Sequence, residues 1–126
     1  MQVYLAARYA DKGYASSIAY TLRKKGVKTT SSWHDIEEQY DKTRHSRQDI
    51  ARVNYSDLHK ADTCLLLYHA DCRGSLCEAV EAYTRGMTVV IVGDPFAASL
   101  MLDRPGIIWM PTIESAIGYL IEKEAG

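Results

Sequence analysis

Cysteine is scarce in this chain of 126 residues: there are three, Cys64, Cys72 and Cys77. An odd number at these spacings builds neither a disulfide framework nor a metal knuckle. No leader pattern opens the sequence, so a reducing, cytoplasmic setting is expected. No apolar run approaches the roughly 20 residues that a membrane helix needs, so no membrane partner is expected. Charge of one sign is lacking too. Fifteen Lys and Arg face sixteen Asp and Glu, a net charge of −1, which leaves no electrostatic footprint for nucleic acid. His34, His45, His59 and His69 fall into no HxxxH or HExxH spacing, so neither a metal nor a cofactor is expected. GxGxxG, a P-loop and a GxSxG elbow are all absent.

What is present is an ordinary globular composition, 47% hydrophobic and 25% charged, with a length that suits one domain over residues 1–126. The organising stretch is Ala61–Gly93. It holds an apolar run at Thr63–Tyr68, a polar break at His69–Ser75 and a helical pattern from Leu76 to Arg85. Gly86 stops that helix, and a second apolar run follows at Met87–Val92. Strand, loop, helix, strand is a βαβ unit, and strands apolar on both faces suit a parallel sheet under helices. Before it, Gln2–Ala7 is predicted as a strand and Ala10–Lys25 as an amphipathic helix burying Ala15, Ile18, Ala19 and Leu22. Val27–Ser32 is predicted as a polar edge strand. Ser46–Lys60 is predicted as a helix with Ile50, Val53 and Leu58 as its apolar stripe. After it come a turn at Gly93–Pro95, a short helix or ordered loop at Phe96–Leu102, a strand at Ile107–Met110 and a helix at Thr112–Glu124 capped by Thr112. Five strands alternating with helices predict an α/β, flavodoxin-like three-layer sandwich. Its five-stranded parallel sheet is expected in the order 2-1-3-4-5.

In such sheets ligands bind beyond the carboxyl ends of the strands, which directs attention to Asp71, Arg73, Ser75 and Glu78. A carboxylate in a first helical turn is stabilised by free N–H groups. The same carboxylate facing a pocket can attack a sugar anomeric carbon. Both readings of Glu78 stay open, and Tyr4 on the first strand is placed to orient it. Arg73, Gly74 and Ser75 before a helix N-terminus form a fair anion site, to which Arg8 adds a second charge; for each arginine a surface ion pair is the competing reading. Cys72 in the same loop is a weaker nucleophile candidate, since a reactive thiol needs a cation or base beside it. Asn54 and Asp57 share one helix face. The polar stretch 35–47, with Tyr40 and His45, is either a lid or a plain surface loop.

Six segments together resemble the nucleoside 2-deoxyribosyltransferase family, especially its short phage and bacterial members, and the related deoxynucleoside 5′-monophosphate N-glycosidases. They are VYLAARYA at 3–10, TSSWHD at 30–35, NYSDLHKAD at 54–62, CLLLY at 64–68, RGSLCEA at 73–79 and RGMTVVIVG at 85–93. The resemblance implies action on the N-glycosidic bond of a (deoxy)nucleoside or nucleotide. By it, Glu78 is similar to the family's nucleophile, Tyr4 to the tyrosine that orients it, and Asp71, one position displaced, to a loop aspartate that helps protonate the base. It likewise implies Arg8 and Ser75 as sugar or phosphate contacts and Trp33 as a wall for the base. Two positions depart from the family: Asn54 stands for an aspartate, and Val80 for a glycine two residues after the glutamate. An amide holds a sugar hydroxyl but gives no proton, so Asp57 or Asp71 would have to supply one. The departures keep a nucleotide-binding module without turnover open, and a TIR-like NAD glycohydrolase is a weaker alternative. The family also implies a homodimer or larger homo-oligomer, with apolar Phe96–Leu102 compatible with an interface.

Overall fold

The strands take their places because aliphatic and β-branched residues alternate between two helical layers. In the computed structural model, which describes residues 1–36 and 44–126, the order is β1 (Gln2–Ala6), α1 (Lys12–Lys24), β2 (Lys28–Thr29), α2 (Arg44–His59), β3 (Thr63–Leu67), α3 (Gly74–Thr84), β4 (Thr88–Val92), β5 (Ile108–Met110) and α4 (Ile113–Ala125). Every strand pairing is parallel and the sheet order is β2-β1-β3-β4-β5, the predicted flavodoxin-like arrangement. Tyr40 and the side chain of His45 lie outside the described residues, and with them most of the segment read as a lid or a loop.

Side chains leave successive strand residues on opposite faces. Val3, Leu5, Leu65, Leu67 and Val90 therefore meet α1 and α4 through Ile18, Leu22, Ala116 and Leu120. Tyr4, Ala6, Cys64, Leu66, Val89 and Ile91 make the other layer with Leu58, Ala79 and Ala82. The two alanines bring α3 close to the sheet, and Val80 packs half-buried against the same layer. Gly93 has a φ of +152°, and an added Cβ there would come 3.3 Å from the Cβ of Tyr68. The chain thus turns tightly beside the carboxyl end of β3.

Three elements differ from the sequence expectation. The edge strand β2 spans two residues rather than Val27–Ser32, because side chains of the segment after it take over its bonding. Ile50 and Val53 are exposed, and of the predicted stripe of α2 Leu58 alone is buried, with Asp57 beside it. The third helix begins at Gly74, two residues early, so Glu78 is its fifth residue and not a first-turn anion. Phe96–Leu102 resolves into two single 3₁₀ turns, capped by the side chains of Asp94 and Ser99. At α4 the predicted cap is present: Thr112 and Ser115 form a reciprocal capping box.

Candidate functional site

On the α2–α3 face, Tyr4 rises from the middle of β1 and its hydroxyl donates to Glu78 Oε2. The strand places the phenol and the second turn of α3 places the carboxylate. Burial pushes Glu78 up, the Tyr4 hydrogen bond pulls it back, and the negative charge of Glu81 one turn on adds to the rise; the outcome is about 7. Burial, then the charge and hydrogen bond of Glu78, push Tyr4 far above the usual phenol range, so its proton stays on. Cys64 is fully buried beneath the pair, and burial raises its thiol as well. It is an inert core group.

Asp57 reaches the same neighbourhood from α2. It is buried, accepts from Ser32 Oγ at 2.6 Å, lies 3.9 Å from Lys60 Nζ, and its charge is felt at Tyr4. Asn54, one turn earlier, is half-buried. Trp33 is half-buried between the two core layers, and its indole N–H donates to the carbonyl of Leu5 at 2.7 Å.

The loop residues divide. Arg73 is the N-cap of α3 and makes no side-chain cap bond. Gly74 is exposed, whereas Ser75 is buried with its Oγ lacking any partner. Free N–H groups, an orphan hydroxyl and a guanidinium are what an oxyanion accepts. Asp71 lies at the surface: its side chain is 80% exposed and 3.8 Å from His69 Nδ1, and its charge acts on Arg8. Arg8 binds Asp11 at 2.8 Å and lines a cavity of about 400 Å³ with Tyr14, Tyr68, His69 and Thr112 at the carboxyl edge of the sheet. Cys72 is buried.

Three neighbours of this site were not singled out from the sequence: Ser32, Glu81 and the buried Ser31–His34 contact. The signal available was the pair of serines directly before a tryptophan at the end of a polar strand. Among the described residues, no group of three His, Cys, Asp or Glu side chains is placed to hold a metal ion. Nor, among them, is any helix long and apolar enough to cross a membrane.

The sequence matches no family model and no curated protein. Solved structures do match. A 2-deoxyribosyltransferase from Bacillus psychrosaccharolyticus superposes with a TM-score of 0.71 at 16% identity, over 94% of this chain and 92% of that one. A conserved protein from Enterococcus faecalis V583 gives 0.72 at 13% identity, over 98% of each chain. What this chain shares with the bacterial 2-deoxyribosyltransferase is its fold.

Proposed function

We propose that this protein cleaves or transfers at the N-glycosidic bond of a deoxynucleoside or its 5′-monophosphate, with Glu78 as nucleophile. The observation that carries the reading is the Tyr4 hydroxyl donating to Glu78 Oε2. It holds the carboxylate in one rotamer and leaves Oε1 to attack. Attack at C1′ forms the C1′–O bond as the C1′–N bond breaks. The bonding pair leaves with the base, which takes a proton from solvent or from Asp71. Water, or a nitrogen of a second base, then displaces Glu78 from C1′, gives up its proton to solvent and restores the carboxylate. The half-buried setting that lifts Glu78 to about 7 keeps its negative charge poorly solvated, which makes it a stronger nucleophile once ionised.

Asp57, Asn54 and Trp33 are the proposed walls and hydroxyl partners of the nucleoside, and Arg8, Arg73, Gly74 and Ser75 the proposed phosphate contacts. The uncapped start of α3 with its orphan Ser75 hydroxyl favours a monophosphate. The fold shared with a 2-deoxyribosyltransferase agrees with the reading. A second copy of the chain completing the pocket, and a cytoplasmic location, belong to the same proposal.

The test is chromatographic. Each deoxynucleoside and monophosphate is incubated with the protein, with and without a second free base, beside Glu78→Ala. Base exchange lost in the variant establishes a transferase. Release from monophosphates alone establishes a nucleotide N-glycosidase. No product from any substrate, with binding intact, sinks the catalytic reading and leaves a binding module.

A further inference from the structure

The edge strand β2 stops at Thr29, yet β1 continues to Ala6. Thr30 still donates its N–H to the carbonyl of Val3 at 2.8 Å. The next backbone pair on that side of β1, the N–H and C=O of Leu5, has no strand beside it. Buried backbone groups need partners, and two side chains provide them. Leu5 N–H donates to Ser31 Oγ at 3.0 Å, and Trp33 Nε1 donates to Leu5 O at 2.7 Å. Between them Ser32 points the other way and donates to Asp57 at 2.6 Å. Ser31 Oγ also lies 2.8 Å from His34 Nε2. His34 Nδ1 in turn meets Asp35 at 3.1 Å, and Asp35 is held by Ser16 at 2.6 Å and Arg23 at 3.0 Å.

One short segment thus binds β1, α2 and α1, and the residue it grips on β1 is the neighbour of Tyr4. We propose that Ser31 and Trp33 are positioning residues that set the height and tilt of Tyr4 against Glu78, while Ser32 sets Asp57 in the same frame. Their effect on turnover rests on Tyr4 and Glu78 being the reacting pair. Their effect on the geometry of that pair does not. A strand neighbour would bond Leu5 through rigid backbone; a hydroxyl and an indole bond it through side chains, so the carboxyl half of β1 is held by groups that single substitutions remove. Ser31 is 3% exposed and His34 2%. Burial holds the His34 imidazole below its ordinary range, which favours the neutral ring accepting from the Ser31 hydroxyl.

The test uses Trp33→Phe, which keeps a ring in the packing but loses the N–H, and Ser31→Ala. Two readouts are taken on the intact chain: steady-state base release, and titration of the Glu78 carboxyl by ¹³C NMR. Leu120→Ala, in the aliphatic layer between the sheet and α4, serves as a control for lost stability alone. The expected result is a fall in kcat of about 10-fold in each variant, with KM within about twofold in Ser31→Ala, which touches no proposed substrate wall, since small misplacements of a reacting group are costly. The Glu78 titration should move up by about half a unit as the Tyr4 hydrogen bond weakens, with the control unmoved. A Glu78 titration unchanged in both variants, with only the melting temperature lowered, overturns the proposal. A titration that moves in a protein with no turnover on any substrate upholds the positioning and sinks the catalytic reading instead.

Discussion

The two faces of the sheet are built from the same five strands and differ in what they bury. Toward α1 and α4, β1 and β3 present Val3, Leu5, Leu65 and Leu67, and the layer closes with aliphatic side chains. Toward α2 and α3 the same two strands present Tyr4 and Cys64, with Asp57, Ser75 and Glu78 around them. One face is dry and holds the chain together. The other carries carboxylates and hydroxyls in a half-dry setting, where each needs a named partner or stays strained in its ionisation. The alternation of a β-strand lets one sequence write both without mixing them.

Substitutions on each face test that division. The largest effect is expected from Glu78→Ala: a loss of at least about 10³-fold in kcat for base release, as for other covalent nucleophiles, with the fold intact by circular dichroism. Next comes Leu65→Ala on the dry face. Leu65 is fully buried, so the cavity should cost about 2–5 kcal/mol in denaturant unfolding and leave the pH profile of turnover where it was. A shifted profile would mean that the faces are not independent.

Glu78→Gln follows. The folded carboxyl sits at about 7 against an ordinary 4.5, so the folded state binds this proton more tightly than the unfolded one. The stability it brings is complete below about 4.5 and is lost as pH rises through about 7. The Gln variant should therefore overtake the parent between pH 5 and pH 8, by up to about 3 kcal/mol. Urea melts across that range check it; a constant difference would contradict the buried carboxyl. Smallest is Tyr4→Phe. Losing a hydrogen bond to a charged group should cost roughly 10-fold in kcat and move the acid limb of the rate profile upward, because that bond is what lowers Glu78.

How far the sequence foretold this molecule depends on which force shapes each part. Periodic burial was legible: Ala15, Ile18, Ala19 and Leu22 of α1 are the four buried residues of that helix, and the parallel order followed from alternation of strands and helices. The Tyr4–Glu78 pair was legible because both lie on regular elements with fixed directions. Where side chains replace backbone, the pattern broke down. Residues 31–33 look like the end of a strand and instead fold their hydroxyls and indole back onto β1 and α2. The start of α3 was misplaced because Arg73 caps it without the side-chain bond that marks most helix starts. The inward face of α2 was misjudged because a carboxylate, Asp57, is buried there while Ile50 and Val53 are not.

The bond from Leu5 N–H to the Ser31 hydroxyl also bears on how the protein breathes. In the middle of the sheet, an amide of β3 is released to solvent only when flanking strands part, an event close to global unfolding. The Leu5 amide is freed when one serine swings away. Its deuterium uptake should therefore run faster than that of the β3 amides, making this single proton a gauge of how often the strand beneath Tyr4 lets go.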